Sequence, residues 1–326
     1  MSGRACGGGS EAGPPDVFFV EGEDEAMRVP DSLRDLGWEL PHNFLGLEEE
    51  SSDFEGAGVV ILPVPYEATT SYGAGTAGGP AAIVEASRYI ELYDQELDSE
   101  PYEVGVGALP ALVLTGAGPE VAVGELREAY DRLLDAAPGK LVIMLGGEHS
   151  ISSAPILAWA DRLEKEGRRL SVLQIDAHTD LRPEYEGSPY SHASVMYRVH
   201  DRVDIAAVGI RALTREEREL ERSTDSIRIF LADDIHEGDA WMDDVLAKLG
   251  DDVYITFDVD GFDPSLVPST GTPEPGGLQW YPVLKLLRRV FREKRVHAVD
   301  VVELAPLPGF PAPDLLVAKL IYKVIG

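Results

Sequence analysis

Leu170-Ser171-Val172-Leu173-Gln174-Ile175-Asp176-Ala177-His178-Thr179-Asp180 begins as a short, largely apolar run and ends in three side chains of metal-ligand type. Two other segments repeat this plan. Leu141-Val142-Ile143-Met144-Leu145 leads into Gly146-Gly147-Glu148-His149-Ser150, and Tyr254-Ile255-Thr256-Phe257 leads into Asp258-Val259-Asp260-Gly261-Phe262-Asp263-Pro264. Further apolar runs at 59–62, 205–208, 227–231 and 296–301 alternate with helical spacing at 121–136, 154–166, 242–248, 282–294 and 314–325. Runs of this length between helices predict an α/β chain whose parallel sheet is buried on both faces. Open parallel sheets bind ligands outside the carboxyl ends of their strands, so the residues just after each run are where chemistry is expected.

With 326 residues, 44% of them hydrophobic, the chain is long enough to bury one large core. Residues 1–55 mix glycine, proline and acids and are expected to form an irregular arm with one short helix; residues 56–326 are expected to be a single catalytic domain. No run is long and apolar enough to span a bilayer, and the start is Gly-rich rather than a secretory core, so a cytoplasmic protein is expected. The formal charge of −30 opposes phosphate backbones and anionic lipid, which argues against nucleic acid and membrane as partners. Its plain meaning is a solvated surface. Cys6 is the single cysteine, so the chemistry must come from oxygen and imidazole donors.

In extended chain, residues i, i+2 and i+4 share a side, which predicts that Asp176, His178 and Asp180 converge, as do Asp258 and Asp260. The paired glycines Gly146 and Gly147 are expected to allow a sharp turn that aims His149 across the strand ends. Four carboxylates and two imidazoles so crowded would repel one another unless cations lay between them. Two divalent ions meet that need. A mixed Asp and His set favours Mn²⁺ or a similar first-row ion over Ca²⁺, which prefers oxygen cages, and over structural zinc, which usually takes Cys.

The segments GGEHS, DAHTD and TFDVDGFDPS resemble the signature motifs of the arginase/agmatinase (ureohydrolase) family, most closely its prokaryotic agmatinases. Further resemblance lies in PVPYEATTSYGAGTAGGPAAI at 63–83, YSHAS at 190–194, GIR at 209–211 and TGTPEPGGL at 270–278. It runs from about Val59 to the end. The family fold it implies is a three-layer α/β/α sandwich around a mainly parallel sheet. By similarity, His149, Asp176, Asp180 and Asp258 would hold one manganese and His178, Asp176, Asp258 and Asp260 the other. The implied reaction is hydrolysis of a guanidinium group to urea and an amine by water activated between the two Mn²⁺. Glu274 matches the family glutamate that orients the guanidinium, and His192 the histidine that passes a proton to the leaving amine. Asp180 is also a candidate proton relay. A homotrimer or homohexamer is likewise implied.

Arginases read the α-ammonium and α-carboxylate partly through an Arg-Asp pair where this chain has Arg211-Ala212. The missing aspartate favours agmatine, a small cationic guanidine, over arginine. Thr76-Ala77-Gly78-Gly79 departs from the bulkier Arg-containing agmatinase segment and leaves aminopropylagmatine and guanidinobutyrate open. A single-zinc deacetylase of the same fold and a non-catalytic metal-binding homologue are the rival classes. Asp263 is read as a loop cap, Glu303 as structural or supporting the ligands, and Tyr72 and Tyr93 as packing residues.

Overall fold

The computed structural model describes residues 42–236 and 238–326. Eight strands form one sheet: β1 Val59–Val64, β2 Val106–Ala108, β3 Leu141–Gly146, β4 Leu170–Ile175, β5 Asp204–Ile210, β6 Ile227–Leu231, β7 Asp252–Asp258 and β8 Arg295–Val302. Their order across the sheet is β2-β1-β3-β8-β7-β4-β5-β6, and each pairing is parallel. The longer helices are α1 Gly79–Ser87, α2 Pro119–Ala136, α3 Ser153–Lys165, α4 Arg215–Ser223, α5 Trp241–Lys248, α6 Trp280–Glu293 and α7 Ala312–Ile325.

Period-two alternation along the strands sorts the core into two layers. Val59, Ile61, Ile143, Leu145, Ile255 and Phe257 pack with residues of α1, α5, α6 and α7 on one face. Leu62, Val64, Val142 and Met144 pack with α2 and α3 on the other, where Leu170, Val172, Ile205 and Ala207 meet α3 and the short helix Val195–Val199. This is the expected three-layer sandwich, with a sheet parallel throughout.

Register places the site. Leu145 pairs with Val301, Val301 with Phe257, and Phe257 with Ile175, so β3, β8, β7 and β4 end in one row. The residues that follow these ends are therefore neighbours in space although they are as far apart in sequence as His149 and Glu303.

Residues 1–41 of the expected arm lie outside the described residues. In its remainder Phe44, Leu45 and Leu47 are buried, and Leu45 N–H donates to Ser87 Oγ at the end of α1 at 2.8 Å. Tyr72 and Tyr93, expected to pack, are 86% and 51% exposed. Tyr93 uses its hydroxyl on Asp98 instead. Among the described residues no helix is long and apolar enough to cross a membrane.

Candidate metal centre

Above the row of strand ends, His149, Asp176 and Asp258 form one group able to hold a metal ion, and Asp176, His178 and Asp260 form a second that shares Asp176. His149 Nδ1 stands 3.0 Å from Asp180 Oδ2, 3.2 Å from Asp176 Oδ2 and 3.5 Å from Asp258 Oδ2. His178 Nδ1 is 2.9 Å from Asp260 Oδ2 and 3.7 Å from Asp176 Oδ1. All six expected ligands are thus brought together.

The means differ from strand alternation. β4 ends at Ile175, and the chain reaches Asp180 by a loop in which Asp180 itself adopts a φ of 51°, the left-handed region that non-glycine residues rarely enter. His178 N–H donates to Asp176 Oδ1 at 2.6 Å, and Gln174 Nε2 donates to Asp176 Oδ2 at 2.9 Å, which fixes that carboxylate. Asp258 closes β7 and accepts Asp260 N–H at 2.8 Å, capping the turn Val259–Gly261.

The paired glycines also act otherwise than expected. Neither Gly146 nor Gly147 has a positive φ. A Cβ on Gly147 would lie 1.9 Å from the Tyr66 carbonyl oxygen, so this position needs a bare backbone for close approach rather than for a special turn. Gly147 N–H and Glu148 N–H donate to Val64 and Tyr66 carbonyls across that gap.

Crowding shows in the protonation of the cluster. Burial, with the charges of Asp180 and Asp260 added, pushes the Asp176 carboxyl up to about 7. Burial and the Asp260 and Asp176 charges push Asp258 well above the carboxylate range. Burial favours a neutral His178, yet Asp260 and its neighbours outweigh it and raise the imidazole to about 10. Positive charge is what these groups lack. His149 Nδ1, buried and facing three carboxylate oxygens, has no directed hydrogen bond of its own. A cation between that nitrogen and those oxygens would satisfy all four, so the donors fit a metal pair.

A cavity of about 230 Å³ opens onto the cluster and is lined by His149, His178, Asp180, His192, Asp258 and Glu303, and also by Ser71, Arg182, Tyr185, Ala212, Thr214 and Glu217. His192 is there as expected. Its Nδ1 is 3.3 Å from Thr69 Oγ1 and its Nε2 is 3.4 Å from Ser71 Oγ, with Tyr185 edge-on at 5.8 Å. Glu148, buried and passed over in the sequence, holds this wall by accepting Ala68 N–H, Thr69 N–H and Thr69 Oγ1.

Glu274 is not brought to the cavity. It is half-buried on a neighbouring loop, and its carbonyl accepts from Arg211 Nε and Nη2 at 3.1 and 2.8 Å. Arg211 also donates to the carbonyls of Gly209, Asp260 and Phe262, so its guanidinium is committed to the backbone. Glu303 occupies the cavity wall, buried, with a φ of 66° and with Oε1 accepting His149 N–H at 2.6 Å. Burial pushes its carboxyl up to about 8, against the His149 amide and with the Glu148 charge adding to it. Asp263 is a loop cap, accepting the N–H groups of Ser265, Gly276 and Gly277.

Residues 57–326 match the model of the Arginase family. The chain is 42% identical over 279 residues to the N(1)-aminopropylagmatine ureohydrolase of Thermus thermophilus, covering 85% of this chain and 92% of that one. It is 35% identical over 286 residues to the agmatinase of Pyrococcus horikoshii, covering 86% and 95%. Among solved structures, the agmatine ureohydrolase of Thermoplasma volcanium aligns with a TM-score of 0.77 at 28% identity, over 91% of this chain and 96% of that one. Fold, site and likeness define a ureohydrolase, a hydrolase acting on amidine C–N bonds. The chain belongs to the arginase family.

Proposed function

We propose that this chain hydrolyses the guanidinium group of a linear polyamine-type substrate, agmatine or its N1-aminopropyl derivative, to urea and an amine. The observation that carries the proposal is the pair of Asp/His groups sharing Asp176, whose members His149, His178 and Asp258 line one cavity. His149, Asp176, Asp180 and Asp258 would hold one Mn²⁺ and His178, Asp176, Asp258 and Asp260 the other. When bound, such a pair supplies a water activated as a nucleophile at neutral pH.

The chain's own residues do the rest. Glu303, rather than Glu274, accepts the guanidinium N–H donors, because its buried carboxylate lines the cavity beside His149. A cationic substrate would hold Glu303 ionised against the burial that raises it. His192 passes a proton to the leaving amine, its ring held by Thr69 and Ser71; Asp180 is a second relay candidate. Ala212 and Leu213 offer no charge to an α-ammonium group, and Glu217, also in the lining, has its carboxylate engaged by the Thr214 N–H at 2.6 Å. Arg211, spent on carbonyls, has little left for an α-carboxylate.

One observation leans toward the aminopropyl compound over agmatine: the relatives of highest identity, at 42% and 38%, are named for it, although a further relative of that name, at 34%, stands level with the agmatinase of Pyrococcus horikoshii at 35%. Residues 56–326 would be the catalytic domain, with residues 1–55 outside the chemistry. Family membership supports a homotrimer or homohexamer, a cytoplasmic place and a role in polyamine (putrescine) formation. Urea release from agmatine, N1-aminopropylagmatine, guanidinobutyrate and arginine, at equal concentration with Mn²⁺, is the test. The polyamine guanidines should lead by at least about a hundredfold over arginine, whose α-groups would be buried unpaired. Equal turnover of arginine would overturn the substrate class.

A further inference from the structure

On the α2–α3 side of the sheet, a buried polar chain runs from the metal centre into the core. His149 Nε2 lies 2.8 Å from Thr256 Oγ1, Thr256 Oγ1 donates to Asp300 Oδ1 at 2.7 Å, and Tyr254 OH donates to Asp300 Oδ2 at 2.7 Å. Thr256, Asp300 and Tyr254 are each 0% exposed. Asp300 lines no part of the cavity and cannot touch substrate.

We infer that Asp300, acting through Thr256, is a positioning residue that fixes the Nε2–H form of His149 and so leaves Nδ1 bare toward Asp176, Asp180 and Asp258. The argument is a proton count. A threonine hydroxyl has one proton to give. With that proton on Asp300, Thr256 Oγ1 can only accept at His149, so Nε2 must carry the ring proton. Nδ1 then presents a lone pair to the space it shares with three carboxylate oxygens at 3.0–3.5 Å. The opposite polarity, Asp300 protonated and donating to Thr256, would send the Thr256 proton to Nε2 and place the ring proton on Nδ1, closing this donor to a cation. Tyr254 favours the first arrangement, because its hydroxyl donates to Asp300 and stabilises the carboxylate as an acceptor. A buried carboxylate without a cationic side chain against it is costly to keep, and orienting a ligand two residues away gives it a purpose.

This inference rests on His149 being a metal ligand, and the experiment separates the two. Chelator-stripped full-length protein is titrated with Mn²⁺ by calorimetry, with metal content measured independently, for wild type, Thr256→Val, Thr256→Ser, Asp300→Asn and the double variant Thr256→Val/Asp300→Asn. One of two ions should bind about tenfold or more weakly in Thr256→Val and in Asp300→Asn, and the other as in wild type. Thr256→Ser, which keeps the hydroxyl, should restore affinity. The double variant should be no weaker than Thr256→Val, because Asp300 acts through that hydroxyl. Asp300→Ser replaces Asp300→Asn in the cycle if the amide does not fold. Wild-type affinity in Thr256→Val, or losses that simply add in the double variant, would overturn the relay while leaving the metal centre standing. Fewer than two ions in wild type would instead sink the metal reading of the centre, and the relay with it.

Discussion

The Glu303 carboxylate accepts the backbone N–H of His149 at 2.6 Å, which locks the loop after β8 to the loop after β3. One oxygen is thereby fixed and the side chain is held in the cavity wall. Glu303→Gln keeps the shape and removes the charge, so turnover efficiency should fall by about 2 kcal/mol of transition-state stabilisation, roughly thirtyfold, with both metals retained. Glu274→Gln should stay near wild type. Steady-state urea kinetics on both variants decide between the two glutamates; a large loss in Glu274→Gln alone would restore the assignment expected from the sequence.

Asp176 faces both imidazoles, one oxygen toward each. Asp176→Ala should therefore lose both ions, whereas His178→Ala should weaken mainly one. Metal analysis of the purified variants checks this, and two tightly bound ions in Asp176→Ala would refute the shared ligand.

Gly147 has no room for a side chain, since the Tyr66 carbonyl oxygen would sit 1.9 Å from its Cβ. Gly147→Ala should destabilise by several kcal/mol, on the order of the larger single-site effects, or prevent folding. Gly124, inside α2 with nothing within 4 Å of a built Cβ, is the contrast. Gly124→Ala should raise stability by up to about 1 kcal/mol. Denaturant midpoints measure both, and a neutral Gly147→Ala would contradict the close approach.

Asp263 gives a pH dependence with a definite sign. Burial opposes its charge, but the Ser265 hydroxyl and the N–H groups of Ser265, Gly277 and Gly276 outweigh burial and hold the carboxyl down at about 2. A carboxylate depressed in the folded state adds stability that is complete above its unfolded value, about 3.9, and is lost as pH falls through about 2. Asp263→Asn should thus be less stable than wild type at pH 7, with the gap closing as pH drops from 4 toward 2. A gap that is unchanged across that range would show that the carboxylate charge plays no part.

Most of the framework was legible because the strands are apolar runs and three of them end in ligand-bearing loops. Three of the elements that escaped show why. Arg215–Ser223 is polar almost throughout and has no apolar stripe; its signal is the capping box of Thr214 and Glu217, each side chain bonding the other's backbone. Val106–Ala108 is too short to show alternation, and Gly79–Ser87 opens on Gly-Pro, which reads as a turn although proline is suited to the first helical turn. The ligand set was legible since all six lie at strand ends or in the loops that follow them. Glu303 was read as structural or supporting the ligands, although it too follows a strand; the motif around Glu274 drew the substrate assignment away, and only the register of β8 between β3 and β7 reveals which glutamate reaches the cavity. The buried link from Thr256 to Asp300 depends on strand pairing and leaves no trace in a single segment.

The sheet order has a consequence for how the protein comes into being. β8 follows the other seven described strands in sequence yet lies between β3 and β7, so the central row of the sheet stays open until residues 295–302 have left the ribosome. His149 cannot meet Glu303, nor Thr256 meet Asp300, before that strand inserts. A fragment ending ahead of Arg295 would carry all six candidate ligands yet have no wall to hold them, so metal loading should follow the closure of the sheet rather than seed it.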